Sequence, residues 1–266
     1  VPQREAAAAL VEPEPVVVED GLLDQGLLFA GDHEAGRALD QLAGAEVAAG
    51  ADAIGFVLYP KSLRYVTPER ARELSQRLPP FVTPVLLVVN QPADQTIAAC
   101  ELIANAVLQF HGDETPVDCL AASHNGARSY LRAARIPLGE AGRSFDLVKY
   151  AHDYSHAQAI LLDAHVEGYG GAGKAFNWSL LPANVNAHLV LSGGLNAANV
   201  AGGILQVRPR CLSLAVDVSS GVEVSGPGNQ GIKDPEKIHE FVAAVRSADK
   251  QLEELLHVTS RTLPTT

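Results

Sequence analysis

The sequence predicts an α/β protein, a single-domain (β/α)8 barrel of the TIM type, because eight apolar segments alternate with segments of helical periodicity. Most of the apolar segments lack strict alternation of polar and apolar residues, which is typical of parallel strands buried on both faces. An open doubly wound sheet would give a similar pattern. No GxGxxG motif opens a helix after the first strand, which argues against the dinucleotide-binding version of that fold.

The strands are predicted from apolar and β-branched content. The segments are 15–19, 51–59, 82–90, 105–112, 129–136, 157–165, 187–194 and 211–220. We expect the barrel to occupy residues 15–257, between tails at 1–14 and 258–266.

Helical periodicity is found between these strands, at 67–78, 93–103, 196–207 and 234–256. Two of these segments begin with the same device. Thr67 precedes Pro68 and Asp234 precedes Pro235, which predicts an N-cap side chain followed by proline at the first helical position.

The composition excludes several classes of protein. With 47% hydrophobic and 19% charged residues the chain can bury a large core, and a net charge of -11 disfavours nucleic acid as a partner. Cys100, Cys119 and Cys211 lie far apart, which predicts buried thiols in a reducing cytosol rather than disulfides or a zinc site. No apolar run is long enough to span a bilayer, and the N-terminal residues lack a signal-peptide layout. We therefore expect a cytoplasmic protein without membrane contact.

Glycines and serines follow the last two predicted strands. Gly193 and Gly194 occur in SGGLNAANV, which leads straight into a helix, and Ser219 and Ser220 occur in DVSSGVE. Loops after the seventh and eighth strands of a barrel commonly bind phosphate through bare backbone N–H groups and a helix N-terminus. The two motifs together predict a phosphate site, and Asp217 in the second motif is a further substrate-binding candidate.

Polar residues also follow three other strands. Asp163 ends the apolar segment AILLDAH, where it is either a general acid or base or a cap of the next turn. The glycine-rich GYGGAGKAFNW after it is either a mobile lid or a loop that lets the backbone approach a ligand closely. Arg64 is either a carboxylate clamp or a surface residue, and His111 either a substrate contact or a turn residue.

These motifs, in this order, resemble the phosphoribosylanthranilate isomerase family. The carriers are GADAIGFVLYPKSLRYVTPERARELSQRLPPFVTPV, LQFHGDETP, LLDAHVEGYGGAGKAFNWSLLP, LVLSGGLNAANV and VDVSSGVE with GIKDPEKIHEFVAAVR, and the resemblance covers most of residues 44–248. It implies the Amadori rearrangement of N-(5-phosphoribosyl)anthranilate in tryptophan biosynthesis, with no metal or organic cofactor. The expected partner is this sugar phosphate alone, and the expected state is a monomer or homodimer.

The resemblance also implies residue roles. Asp163 would be the general acid that opens the furanose ring, and Arg64 would face the anthranilate carboxylate. The residues that would hold the phosphate are Gly193, Gly194, Ser219 and Ser220. The sequence departs from the family pattern at Ala172, Ala175 and Asn177, at VVNQ (88–91), and at 224–230, which is an apparent insertion.

The general base of the family is a cysteine at the end of the first strand, and residues 1–50 contain none. An ungapped count from Gly50 puts Ala35 at that position, and a strand ending LLFAG puts Ala30 there. A strand at 15–19 puts Asp20 there, and we favour this register for its β-branched content. Asp20 is then the predicted base.

Two other functions stay open. One is a catalytically silent barrel that still binds a phosphorylated ligand, since the usual base is missing. The other is an isomerase of the aminoaldose of the histidine pathway, for which Asp20 and Asp163 could form a carboxylate pair. We rank it last because that family carries two similar phosphate motifs, one in each half of the barrel, and this sequence shows only the one after the seventh and eighth strands.

Overall fold

The computed structural model describes residues 26–30, 46–165, 175–226 and 228–261. Eight parallel strands close into a barrel in sequence order, which confirms the predicted fold. The strands are β1 Gly26–Ala30, β2 Ala53–Val57, β3 Thr83–Val88, β4 Val107–Phe110, β5 Tyr130–Pro137, β6 Ala159–His165, β7 Leu189–Leu191 and β8 Leu214–Val218.

The first strand is not where we predicted it. β1 is Gly26–Ala30, which pairs with β2 on one side and with β8 on the other, so the interpretation of 15–19 as the first strand is wrong. Strand position in a closed barrel is set by pairing with both neighbours, and this context overrides the β-branched content of a single segment. Residues 15–19 and Asp20 lie outside the described residues.

Helices cover the outside of the barrel. They are α1 Pro68–Ser75, α2 Ala93–Leu102, α3 Pro116–Ala122, α4 Leu147–Asp153, α5 Val200–Val207 and α6 Pro235–Arg261. Thr67 Oγ1 accepts the N–H of Arg70 at 3.2 Å, and Asp234 Oδ1 accepts that of Glu236 at 3.0 Å, so both predicted N-caps are confirmed. None of the helices in these ranges is long and apolar enough to cross a membrane.

The two helices that we did not predict, α3 and α4, are short. Thr115 forms a capping box with Asp118, and Pro116 takes the first helical position. This is the device found at Thr67, so the sequence signal for α3 was present. Each helix has only 7 residues, too few for a clear apolar period.

The core has two layers because successive strand residues point to opposite faces. In β6, Ile160 and Leu162 pack in the layer between barrel and helices, and Leu161 packs inside the barrel with Ala133 and Val190. The same alternation holds around the barrel. Asp163 is the next inward position after Leu161, so the apolar interior ends in polar side chains at the carboxyl ends of the strands.

The cysteines fit the expectation of buried thiols. Cys100 and Cys119 are buried and Cys211 is partly exposed, and all three are free. Burial raises the pKa of the Cys119 thiol to about 12, so it stays protonated at neutral pH.

Candidate active site at the carboxyl ends of the strands

The centre of the site is a hydrogen-bonded pair of two predicted residues. His111 Nε2 lies 3.0 Å from Asp163 Oδ2, and both side chains are largely buried. Asp163 Oδ1 accepts the backbone N–H of Ala164 at 2.8 Å. The structure thus brings the predicted acid and the predicted histidine contact together in one unit.

Gln109 supports the other side of the imidazole. Its Nε2 lies 3.1 Å from His111 Nδ1, so the amide donates to a neutral ring whose Nε2–H donates to Asp163. Gln109 Oε1 is buried without a hydrogen-bond partner among the described residues. The Gln109 amide therefore holds the imidazole with Nε2 directed at Asp163.

The loop that carries His111 is held by a buried ion pair. Arg132 donates to the carbonyl oxygens of Phe110 at 2.9 Å and Gly112 at 3.0 Å, and its guanidinium lies 3.3 Å from Glu114 Oε2. Glu114 Oε2 also accepts the N–H of Gly112 at 2.9 Å. Tyr154 lies against the Arg132 guanidinium at 5.0 Å. These contacts fix the backbone on both sides of His111, a constraint that sequence reasoning missed.

Gly193 lies directly against the acid. A Cβ at this position would be 2.6 Å from Asp163 Oδ1 and 2.7 Å from the Ala164 nitrogen, and Gly193 has a φ of +75°. Both observations exclude a side chain here. We predicted Gly193 as a phosphate ligand, and its close approach to Asp163 is a second requirement that the motif alone does not reveal.

Gly193→Ala should therefore lower turnover by about 100-fold, because a displacement of the acid on the ångström scale has that effect. The matched control is Gly202→Ala in α5, where a Cβ would meet no atom within 4 Å. The control should keep parental turnover and gain up to about 1 kcal/mol of stability. Steady-state kinetics and thermal denaturation measure both. Equal turnover in the two variants would contradict the packing argument.

The loops after β7 and β8 touch each other. A Cβ at Gly221 would lie 1.8 Å from the carbonyl oxygen of Leu195, so the two backbones are in direct contact. Gly193 and Gly194 thus lie in the loop adjoining Ser219 and Ser220, as the predicted phosphate site requires. α5 begins only at Val200, after a turn in which Asn199 donates to the Gly194 carbonyl at 2.9 Å.

Asp217 is the most strongly perturbed carboxyl group near this pair. Ser192 Oγ donates to Asp217 Oδ2 at 2.5 Å, and Oδ1 has no hydrogen-bond partner in the part of the chain that the structure describes. Burial raises the pKa of Asp217 to about 7, against the lowering effect of the Ser192 hydrogen bond. In the barrel, Asp217 pairs in register with Leu27 of β1.

Arg64 is bound by a residue that we did not single out. Arg64 Nε lies 2.7 Å from Glu223 Oε1, and Lys233 Nζ lies 3.5 Å from the same oxygen. Glu223 and Lys233 also form an antiparallel backbone bridge, which closes the insertion at 224–230 as a side excursion. Both residues stood in the motifs that carry the resemblance, VSSGVE and GIKD, so the signal was available but unused.

Several predictions fall outside the described residues. They are Asp20, Ala35, Ala172 and most of the glycine-rich segment predicted as a lid. Asn177, which departs from the family pattern, caps a short turn by accepting the N–H of Ser179 at 3.1 Å. Ala30 is the last residue of β1 and pairs with Phe56.

A closed (β/α)8 barrel with a carboxylate–imidazole pair and two touching glycine and serine loops at its mouth defines an enzyme barrel for a small anionic substrate. The chain belongs to the N-(5'phosphoribosyl)anthranilate (PRA) isomerase family, whose family model matches residues 34–244. The match begins after β1, in agreement with the divergence of the N-terminal region.

Relatives and solved structures agree with this assignment. The N-(5'-phosphoribosyl)anthranilate isomerase of Leptothrix cholodnii is 57% identical over 203 residues, 76% of this chain and 84% of the relative. The isomerase of Methylibium petroleiphilum is 54% identical over 208 residues, 78% of this chain and 90% of the relative. The crystal structure of phosphoribosyl anthranilate isomerase from Thermotoga maritima is 34% identical, with a TM-score of 0.68 over 84% of this chain and 98% of that chain.

One solved structure is a complex. It is a phosphoribosyl anthranilate isomerase with reduced 1-(o-carboxyphenylamino)-1-deoxyribulose 5-phosphate, 32% identical, with a TM-score of 0.65 over 84% of this chain and 98% of that chain.

Proposed function

We propose that the protein isomerises N-(5-phosphoribosyl)anthranilate to 1-(2-carboxyphenylamino)-1-deoxyribulose 5-phosphate, an Amadori rearrangement in tryptophan biosynthesis. The observation that carries the proposal is the contact of Gly193 with Asp163, which joins the predicted phosphate loop to the predicted acid. A reaction on a phosphorylated sugar needs both within one ligand length. Family membership supplies the substrate class.

In the first step Asp163 donates a proton to the furanose ring oxygen. The bond between C1 and that oxygen breaks, and the nitrogen lone pair forms a C1=N bond. The transfer leaves Asp163 ionised, and His111, held by Gln109, donates its Nε2–H to this carboxylate at 3.0 Å. The imidazole thereby stabilises the carboxylate that forms when the acid gives up its proton.

In the second step the proton on C2 leaves, and its electron pair forms the C1=C2 bond while the C1=N electrons return to nitrogen. Protonation at C1 and loss of the proton from the C2 hydroxyl group then give the C2=O bond of the ketose, so the reaction is balanced without a cofactor. The family uses a strand-one cysteine as proton acceptor, and β1 here reads GLLFA, which contains no basic side chain.

Two carboxylates are candidates for the missing acceptor. Asp20 stays a proposal from the sequence, but the strand assignment that favoured it has been replaced by β1 at Gly26–Ala30. Asp217 is the described candidate, because its backbone pairs with β1, its carboxyl group lies near enough to Asp163 and His111 to feel their charges, and its buried Oδ1 has no hydrogen-bond partner among the described residues. Its pKa of about 7 is suited to a base that works near neutrality. We propose Asp217 as the acceptor.

The phosphate should bind at the two touching loops. In crystals soaked with sulfate, we expect the anion beside the backbone amides of Gly193, Gly194, Ser219 and Ser220. Bare amides at strand exits bind anions without an opposing carboxylate. An anion bound elsewhere, with these amides empty, would refute the placement.

The assay for the function is direct. Purified protein is incubated with N-(5-phosphoribosyl)anthranilate, and aldose substrate and ketose product are separated chromatographically. We expect product at a rate well above that of a sample lacking protein. The rival function, a silent phosphate-binding barrel, is favoured by the missing strand-one base. It predicts anion binding with no product.

A further inference from the structure

A chain of buried charges connects the two predicted anion subsites. Arg64 Nε contacts Glu223 Oε1 at 2.7 Å, and Lys233 Nζ lies 3.5 Å from the same carboxylate oxygen. Lys233 Nζ also donates to the carbonyl oxygen of Ser219 at 2.7 Å. The chain thus runs from the guanidinium after β2 to the serine loop after β8, and we call these three side chains the charged bridge.

The charged bridge is buried. The side chains of Arg64, Glu223 and Lys233 are 15%, 7% and 0% exposed. Burial favours the neutral form of Glu223, but the hydrogen bond from Arg64 and the charges of Lys233 and Arg64 leave its pKa lowered. Glu223 is therefore ionised at neutral pH. Removing one charged partner from such a buried group would leave an uncompensated charge in the interior, which lowers the free energy of unfolding.

Lys233 faces a second carboxyl group. Burial lowers the pKa of Lys233 to about 8, and the charges of Glu223 and Glu46 act against that shift. Glu46 is fully buried, and burial raises its pKa to about 7. Neither carboxyl oxygen of Glu46 has a hydrogen-bond partner among the described residues. Of these two carboxyl groups, Glu223 is the one that lies within ion-pair distance of Lys233, at 3.5 Å.

The geometry leaves Arg64 able to bind an anion. Glu223 engages only Nε, and the two Nη nitrogens have no hydrogen-bond partner among the described residues. A guanidinium held through Nε has a fixed plane, which suits bidentate binding of a carboxylate. At the other end, Lys233 donates to the Ser219 carbonyl oxygen and so fixes the loop whose amides are predicted to bind phosphate.

We propose that Glu223 and Lys233 are positioning residues that set the separation between the carboxylate subsite at Arg64 and the phosphate subsite at Ser219 and Ser220. The bridge thereby selects a ligand that carries a carboxylate and a phosphate at one fixed distance. This inference rests on the proposed function for its ligand class. It adds a specificity role for two residues outside the reacting centre.

The test compares a ligand that has both anions with one that has phosphate alone. Calorimetric titrations use reduced 1-(o-carboxyphenylamino)-1-deoxyribulose 5-phosphate and, separately, inorganic phosphate. Glu223→Gln should weaken binding of the two-anion ligand by about 10- to 100-fold. It should weaken binding of inorganic phosphate by less than about threefold, because a ligand with a single anionic group does not depend on the distance between the two subsites. In kinetics, KM should rise more than kcat falls.

The matched control is Glu73→Gln, which removes the carboxylate of an exposed pair with Arg70 at 2.9 Å. It should leave both affinities at the parental value. Glu223→Asp keeps the charge on a shorter side chain and replaces Glu223→Gln in the titrations if that variant does not fold. It should also weaken the two-anion ligand more than inorganic phosphate.

The outcomes separate the two proposals. A selective loss of the two-anion ligand supports the charged bridge. Equal losses for both ligands, or none, overturn it while leaving the isomerase function in place. Failure of the parent protein to bind the two-anion ligand and to form product overturns the proposed function and, with it, this inference.

Discussion

Asp163→Asn lowers isomerase turnover by about 10²- to 10⁴-fold and leaves phosphate affinity near the parental value. The amide keeps the shape of the side chain and can still pair with His111 at 3.0 Å, but it cannot donate an acidic proton to the ring oxygen. Steady-state turnover and titration with inorganic phosphate measure the two effects.

Asp153→Asn is the control for this change, since Asp153 pairs with Lys149 on the surface. It should turn over like the parent. Turnover of the Asp163 variant at the parental rate would remove Asp163 from its assigned role. A parallel loss of phosphate binding would indicate damage to the neighbouring Gly193 loop instead.

The second large effect concerns the proton acceptor. Asp217→Asn should lower turnover by about 10²- to 10⁴-fold, because an amide cannot accept the C2 proton. Asp20→Ala should be silent if Asp217 is the base. The reverse pattern would restore Asp20 to that role, and Asp20→Cys should then keep or raise turnover. If neither change alters turnover, neither carboxylate is the acceptor.

The pH dependence gives an independent reading of Asp217. With its pKa near 7, the parent should gain activity as pH rises through 7, because only the ionised carboxylate accepts a proton. Folding stability should change in the opposite sense. Since the folded protein holds this proton up to a higher pH than the unfolded chain, the free energy of unfolding falls between about pH 4 and pH 7.

Asp217→Asn should remove this contribution of Asp217 to the fall in stability. Its neutral amide resembles the protonated carboxyl group and can accept from Ser192, so the variant should fold and equal or exceed the parent in stability at pH 8. Chemical denaturation at pH 5 and pH 8 measures the difference. A variant with the same pH dependence as the parent would show that Asp217 is not perturbed by burial.

The sequence predicted the features that depend on local chemistry. Each of these features can be recognised within one short segment of its own. They are seven of the eight strands, the N-caps at Thr67 and Asp234, and the glycines and serines that follow the last two strands. Asp163 was found because a carboxylate at the end of an apolar strand has few local explanations. The fold, Asp163 and the glycine and serine loops of the candidate site were therefore predictable from the sequence.

What the sequence did not predict depends on pairing between distant segments. The position of β1 is set by its contacts with β2 and β8, and no local preference within 15–36 encodes them. Arg64 was judged without Glu223, a residue 159 positions away in the chain. The dependence of Asp163 on a glycine at 193 arises from a backbone approach that no motif records.

The antiparallel backbone pairing of Glu223 with Lys233 affects where the chain can accept an insertion. Val224 donates to the Ile232 carbonyl at 2.8 Å, and Asp234 donates to the Val222 carbonyl at 2.8 Å, so both ends of the excursion are joined by hydrogen bonds. Lengthening a loop between joined ends adds little entropic cost. A foreign peptide inserted between Ser225 and Asn229 should therefore leave the positions of Glu223 and Lys233 unchanged, which makes this excursion a place for grafting.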